Sequence, residues 1–321
     1  MVLNVTVTNT TAAGYLTVYA AGSSQPAVSN LNWVAGETVP NLVVVPVGSN
    51  GQVTFFNALG STHLVVDLEG YFMAPSGSAG AFQPLTPARL LDTRTGAQTK
   101  LGPNASLKLQ VTNVGGVPPT GVSAVVMNVT VTNPAAASFL TVWPSSASMP
   151  LASNLNFTAG ETVANRVMVA VGTGGQVSIF NSAGSTDVVA DVAGYFTDAS
   201  ASAGQLFYPV SPFRLMDTRL SAQTLGPGGN VSVPVAGQGA VPVTATGAVL
   251  NLTATNTTAP SYFTAYPSGA VKPTASDLNW MAGRTVPNLA VVKLGGGSFS
   301  IFNGAGSADA VVDVFGYFAP P

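Results

Sequence analysis

Apolar and polar residues alternate in short runs along this chain. The first run places Leu3, Val5 and Val7 between polar neighbours, and a period of two residues predicts a strand with one buried face. Similar or wholly apolar runs follow at residues 15–19, 30–33, 41–45, 52–56 and 62–72, with turns rich in Gly, Pro and Asn between them. Because no run has the period of a helix, we expect an all-β sandwich or barrel.

The strand pattern occurs three times. Asn-rich strands begin at Asn4, Asn128 and Asn251, separated by 124 and then 123 residues. Each copy closes on a segment of the type Asp-Val-x-Gly-Tyr-Phe, found at residues 67–72, 191–196 and 313–318. Self-similarity at this period indicates one domain copied in tandem.

A second motif marks where each complete copy begins. The sequence Pro-x-x-Pro-x-Arg-Leu-x-Asp-Thr-Arg occupies residues 84–94 and 209–219, and the first copy has no counterpart. We therefore predict roughly eight strands in each complete copy and tandem antiparallel β-sandwich domains of jelly-roll-like form. The predicted divisions are a partial sandwich lacking its front strands at 1–72, a linker at 73–82, a sandwich at 83–196, a linker at 197–206 and a sandwich at 207–321.

With these two motifs at this spacing, the chain resembles a family of tandem repeats in large secreted and surface proteins of bacteria. The resemblance covers nearly the whole chain. It implies an extracellular β-rich module, strung in arrays or joined to other domains, and it assigns no catalytic residue to this chain. The first copy departs from the pattern because it lacks the Arg-Leu-Leu-Asp-Thr-Arg piece.

Charged residues are scarce. They make up 7% of the chain, the net charge is −2, and the ten Lys and Arg residues are scattered singly. Nucleic-acid binding, which needs clustered basic residues, is therefore not expected. Hydrophobic residues make up 46%, but no apolar run approaches the roughly 18 residues of a membrane helix, so membrane insertion is not expected either. Residues 1–4 contain no signal peptide, and we expect an extracellular or cell-surface protein.

The charges that recur between copies are the candidates for a site. Asp191 shares a strand face with Val189, so it points inward and needs a charged or hydrogen-bonding partner. We predict a structural clamp in which an Arg of the Arg-Leu-x-Asp-Thr-Arg segment pairs with Asp191 or Asp313 of the same unit. The clamp residues are Arg89, Asp92, Arg94, Arg214, Asp217, Arg219, Asp67, Asp191 and Asp313. Removing Arg219 is predicted to strand a buried charge, and Asp67 is predicted to have no partner in its own unit.

Catalytic chemistry has little support in the sequence. A carboxylate pair for glycoside hydrolysis is the alternative to the clamp, but Glu69 is replaced by Ala193 and Phe315 in the other copies. His63 is the single histidine, and Cys is absent. The carboxylates are scattered and no calcium-loop motif occurs, so no metal site, cofactor or catalytic residue is predicted.

Asparagine and aromatic residues are paired in the Asn-Leu-Asn-Trp segments. An exposed ring can stack on a sugar while amides bind its hydroxyls, although Trp more often fills a core and Asn more often flanks a turn. The possible glycan-binding residues are Asn32, Trp33, Asn156, Asn279 and Trp280.

Two hypotheses about function follow. The first is a non-enzymatic extracellular structural protein of a cell surface, fibre or filament, whose partner is another copy of itself. Low surface charge and a first copy without front strands favour head-to-tail self-association into a homopolymer or coat. The competing explanation for the first copy is a trimmed chain whose missing strands lie in upstream sequence. The alternative is a carbohydrate-binding or adhesion array that attaches to cell wall or extracellular polysaccharide.

Overall fold

The computed structural model describes residues 1–73, 80–95, 99–200 and 204–321, and this part of the chain is built from β-strands. The predicted all-β class is confirmed. One single-turn helix, α1 (Thr218–Ser221), interrupts the strands, and the side chain of Asp217 caps its N-terminus by accepting from the Arg219 N–H. Part of each predicted linker, residues 74–79 of the first and 201–203 of the second, lies outside the described residues.

All six strands predicted for the first third of the chain are confirmed. They are β1 (Val2–Thr8), β2 (Gly14–Ala20), β3 (Leu31–Trp33), β4 (Val39–Val44), β5 (Val53–Asn57) and β6 (His63–Gly70). We call this third the first unit. Its strands form two three-stranded antiparallel sheets with the orders β4-β1-β6 and β3-β2-β5.

The second unit contains eight strands, as predicted for a complete copy. They are β7 (Phe82–Asp92), β8 (Ala105–Gln110), β9 (Val122–Thr132), β10 (Ser138–Pro144), β11 (Leu155–Phe157), β12 (Val163–Ala170), β13 (Gln176–Asn181) and β14 (Asp187–Thr197). The two antiparallel sheets have the orders β12-β9-β14-β7 and β11-β10-β13-β8.

The third unit repeats the second. Its strands are β15 (Leu206–Asp217), β16 (Asn230–Pro234), β17 (Gly247–Thr255), β18 (Ser261–Pro267), β19 (Leu278–Trp280), β20 (Val286–Lys293), β21 (Ser298–Asn303) and β22 (Asp309–Ala319). The sheet orders are β15-β22-β17-β20 and β16-β21-β18-β19. Phe82 and Leu206 therefore begin strands, although both fall in predicted linkers.

Each pair of sheets encloses a core of its own. In the second unit Met127 of one sheet and Leu140 and Ile179 of the other belong to a single buried cluster. The third unit has an equivalent cluster, and the first unit a smaller one around Val5 and Leu16. The apolar face of the alternating strands is buried in these clusters, as the period of two requires.

A further core lies between the units. Val2, Val126 and Val249, at equivalent positions of the three units, belong to one buried cluster. Phenylalanines pack there as well, with the ring centroids of Phe82 and Phe318 4.2 Å apart. All three units contribute to this central core, so they close around it into a ring.

The Asn-rich strands are buried on both faces, which differs from the prediction. The alternating pattern predicts one buried face, but Asn4 and Thr6 on the other face are also buried, at 0% and 4% exposed. The equivalent residues of β9 and β17 are also buried. One face of each strand packs on the core of its own unit and the other face packs on the neighbouring units, so both faces are buried.

Candidate functional site

Three asparagines at equivalent positions join the units at the centre of the ring. Each side-chain amide donates to an asparagine carbonyl of the preceding unit. The pairs are Asn41 to Asn251 at 2.9 Å, Asn165 to Asn4 at 2.8 Å and Asn288 to Asn128 at 2.9 Å. Because the first pair links the first unit to the third, the set of three is closed.

The oxygens of the same three side chains are also used. They accept from the backbone N–H groups of Leu289, Leu42 and Arg166, again in the preceding unit, at 2.9, 3.1 and 3.2 Å. The three acceptor asparagines also donate, each to a backbone carbonyl of the following unit. These bonds run from Asn4, Asn128 and Asn251 to Ser153, Ser276 and Ser29. A buried amide is costly unless its donors and acceptor are paired. These six amides are paired across the unit boundaries, and together we call them the asparagine ring.

Sequence reasoning missed the asparagine ring as a site. A signal was present, because Asn41, Asn165 and Asn288 recur at equivalent positions in otherwise apolar strands. A polar residue repeated in a buried strand needs a partner. The partner lies in another unit, however, and no local pattern identifies it.

One boundary also contains a buried ion pair. Arg166 of the second unit is 1% exposed, and its guanidinium pairs with Asp277 of the third unit. Arg166 Nε also donates to the carbonyl of Leu289 at 3.2 Å. The position of Arg166 is occupied by Leu42 and Leu289 in the other units, so this boundary differs chemically from its two equivalents.

The predicted clamp residues come together in the second and third units. Arg89 donates from Nε to Asp191 at 2.5 Å and from Nη2 at 3.2 Å, which is a bidentate contact. Arg214 contacts Asp313 in the same way at 2.7 and 3.1 Å. Asp313 is 0% exposed, and burial raises its pKa while Arg214 opposes that rise. Burial likewise raises the pKa of Asp191 against the opposing effect of Arg89.

The second arginine of each motif has a different partner from the predicted one. Arg94 pairs with Asp92 at 2.6 Å and Arg219 pairs with Asp217 at 2.5 Å, so neither meets the carboxylate of the closing motif. Both arginines reach outward, with side chains 45% and 44% exposed. The hydrogen bond from Arg94 lowers the pKa of Asp92 to about 2. The prediction made for Arg219 therefore belongs to Arg214.

The first unit arranges its carboxylates differently. Within the described residues the side chain of Asp67 has neither a hydrogen bond nor an ion pair, and partial burial raises its pKa. Glu69 reaches the second unit, where it accepts from Asn154 Nδ2 at 2.5 Å and from the Met168 N–H at 3.3 Å. Burial raises the pKa of Glu69 to about 8.

A cavity of about 590 Å³ lies where the three units meet. Its lining includes four of the five predicted glycan-binding residues, namely the equivalent Asn32, Asn156 and Asn279 together with Trp280. Charged residues at a second set of equivalent positions, Glu37, Glu161 and Arg284, also line it, and Arg284 pairs with Glu37.

The two tryptophans predicted to stack on a sugar are core residues. Trp33 and Trp280 are each 4% exposed. Their indole N–H groups donate to the carbonyls of Ala12 and Ala259 at 3.0 and 3.1 Å. Phe263 packs edge-on against Trp280. Neither ring offers a face to a sugar, because each fills the core of its unit.

His63 is exposed on β6. Residues 1–73, 80–95, 99–200 and 204–321 contain no group of three or more His, Cys, Asp or Glu side chains placed to hold a metal ion. In the same residues, no helix has the length and hydrophobicity needed to cross a membrane.

Comparison with known proteins gives distant structural likenesses. No family model and no curated protein matches the chain. A structure reported as the triple jelly roll fold and turret assembly of an archaeal virus is 9% identical over 99% of this chain and 79% of its own, with a TM-score of 0.22. The PBSX exported protein XepA (11% identical, 78% and 99% covered, TM-score 0.22) and the CBM22 tandem of Paenibacillus barcinonensis Xyn10C (10%, 75% and 100%, 0.21) are similarly distant. Scores this low carry no inference about function.

Proposed function

We propose that this chain is a non-enzymatic structural protein of a cell surface, matrix or fibre, which acts as a single rigid block. The asparagine ring is the observation that carries the proposal. It ties the first unit to the third as well as to the second, around a shared apolar core. Units joined only by linkers would move independently, whereas units that share a core and paired buried amides hold a fixed shape.

We further propose that each complete unit is a jelly-roll sandwich. Numbered within the second unit, the sheets have the orders 1-8-3-6 and 2-7-4-5, and the third unit has the same orders. The pairings of first with eighth, second with seventh, third with sixth and fourth with fifth strand are those of one long hairpin rolled into two sheets. The first unit corresponds to strands three to eight of this arrangement.

Self-association remains part of the proposal in a modified form. Head-to-tail growth would place the third unit of one chain against the first unit of the next, but that contact is already made within the chain. A block closed in this way packs side by side instead, and its low charge offers little repulsion to such packing. A coat of blocks is the form that we propose, on an extracellular surface as the sequence resemblance implies.

Electron microscopy and surface labelling test the structural role. We expect the purified chain to appear as compact three-lobed particles, single or packed in sheets, and an antibody to reach the protein on intact source cells. Labelling that appears only after the cells are permeabilised would contradict the surface role. Extended particles with separated lobes would contradict the rigid block.

Carbohydrate binding is the second candidate, and the cavity at the meeting point of the units favours it. Three asparagine side chains line the cavity and can bind sugar hydroxyls. Trp280 also lines it but is only 4% exposed, so binding would depend on the asparagines. A glycan array tests this candidate with Asn32→Ala and Asn279→Ala variants. Exposed Asn230→Ala is the matched control. Binding that the cavity variants leave unchanged would exclude the cavity.

A further inference from the structure

The last strand of the first unit, β6, has one free edge. In the second and third units the equivalent strands β14 and β22 pair on that side with β7 and β15. Within the described residues β6 pairs only with β1. An unpaired strand edge presents backbone N–H and C=O groups that can bind another strand.

Apolar side chains are exposed beside this edge. Leu64, Val66 and Leu68 are 40%, 41% and 61% exposed, whereas their equivalents Val188, Ala190 and Val192 are 0% exposed. The neighbouring strand β5 is partly exposed along its whole length, while most of β13 is buried. We call the free sides of β5 and β6, with these three side chains, the open edge.

Asp67 gives the open edge a charge requirement. Its equivalents Asp191 and Asp313 each bind a guanidinium in bidentate contact, and in both units the arginine sits directly opposite the aspartate in the strand register. Asp67 lies at the same register position, is partly buried, and binds no arginine among the described residues. A strand that fits here brings an arginine to that position.

Gly70 gives the open edge a shape requirement. A Cβ added at Gly194 or Gly316 would lie 2.3 or 2.4 Å from the ring of Phe82 or Phe207, because those rings lie directly on the glycines. A Cβ added at Gly70 would meet nothing within 4 Å. A phenylalanine seven residues before the arginine would therefore fit over Gly70, as Phe82 precedes Arg89 and Phe207 precedes Arg214.

We propose that the open edge is a strand-acceptor site for a polypeptide segment outside residues 1–321 that carries the Phe-x-Pro-x-x-Pro-x-Arg-Leu-x-Asp-Thr-Arg motif. The segment adds as an antiparallel strand to β6, with its arginine on Asp67 and its phenylalanine on Gly70, and its following strand covers β5. The register in the second and third units supplies the geometry of the complex directly. The site deepens the structural role proposed above and rests on it, because it names the kind of partner to which the block is joined.

Binding of a labelled peptide of residues 80–118 to the full chain tests the site. We expect saturable binding followed by fluorescence anisotropy. In the chain, Asp67→Asn and Gly70→Ala should each weaken binding at least tenfold, and Arg89→Ala in the peptide should do the same. Combining Asp67→Asn with the Arg89→Ala peptide should cause little further loss, because both changes remove one contact. Absence of saturable binding, or binding that none of the variants weakens, would overturn the proposal.

The chain variants are suited to this test because the fold does not depend on them. Asp67 has no partner to lose and Gly70 has open space, so both variants should keep the circular dichroism spectrum and the melting temperature of the native chain. A dimer in light scattering that Gly70→Ala abolishes but the peptide cannot dissociate would also overturn the proposal, since the open edge would then hold a second copy. The two proposals can fail separately. If the peptide does not bind, but the particles are compact and the antibody labels intact cells, the strand-acceptor site is excluded and the structural role is retained.

Discussion

The side-chain amide of Asn41 donates a hydrogen bond to Oδ1 of Asn251, which lies 2.9 Å away and 210 residues further along the chain. Two equivalent bonds join the other unit boundaries. Each unit is therefore held by both of the others. Loss of one of these bonds should therefore destabilise the whole ring of units.

The asparagine ring should stabilise the fold measurably. Asn251→Ala removes the acceptor for Asn41 and the donor to the carbonyl of Ser29. A buried group left without its partner costs about 1–3 kcal/mol, so the free energy of unfolding should fall by at least that amount in equilibrium urea denaturation. Exposed Asn230→Ala is the matched control and should change it by less than about 0.5 kcal/mol. Equal effects of the two variants would show that the ring does not stabilise the chain.

Replacing both partners of the buried ion pair should preserve stability, whereas replacing only one should lower it. Arg166→Leu leaves the carboxylate of Asp277 buried and unpaired, and loss of one partner of such a pair costs about 3–5 kcal/mol. Adding Asp277→Asn should restore most of the stability. The double variant then has the Leu and Asn that the third and first units place at the equivalent boundary, Leu289 and Asn30. Urea denaturation of both single variants and the double variant measures the coupling. A double variant no more stable than Arg166→Leu would contradict this account.

The two arginines of the clamp motif should differ in importance. Arg214→Ala strands the fully buried Asp313 and should lower the free energy of unfolding by about 3–5 kcal/mol. Arg219→Ala should cost only about 1 kcal/mol, because Arg219 is exposed and Asp217 keeps its contact with Arg214. Thermal or urea unfolding of the two variants checks the order, which the reverse result would contradict.

Glu69 should make stability depend on pH. Its carboxyl stays protonated in the folded chain up to a pKa of about 8, whereas the unfolded chain ionises near 4.5. The folded state binds more protons in this window, so the free energy of unfolding falls as pH rises from 4.5 to 8, by at most about 1.4 kcal/mol per pH unit. Glu69→Gln should reduce this slope in urea denaturation at pH 5, 6, 7 and 8. An unchanged slope would show that Glu69 is not the titrating group.

Other carboxyls do not obscure that comparison. The raised pKa values of Asp67, Asp191 and Asp313 act in the same direction and are present in both proteins, so among these groups only the charge coupling between Asp67 and Glu69 differs. Asp92, whose pKa is about 2, adds stability that is lost only as pH falls below its ordinary value of 3.8. The window from pH 5 to 8 lies above that change.

The sequence by itself determined the strands, the threefold repetition and the pairing of the Arg-Leu-x-Asp-Thr-Arg segment with the closing aspartate. These features are local or recur with the repeat. Alternation of Leu3, Val5 and Val7 expresses the period of a pleated strand, and a buried carboxylate such as Asp191 needs the guanidinium that its own unit contains.

Only the tertiary structure decided which arginine pairs with that aspartate and how the units are arranged. It also decided that the polar face of the Asn-rich strands is buried between units. Register between β14 and β7 places Arg89, rather than Arg94, opposite Asp191. Asn4 looks like a solvent-facing residue in an alternating strand, yet it is buried because its partners Asn165 and Ser153 lie about 150 residues or more away in the next unit. Closure of the ring depends on the shapes of three assembled surfaces, and no pattern within one strand contains that information.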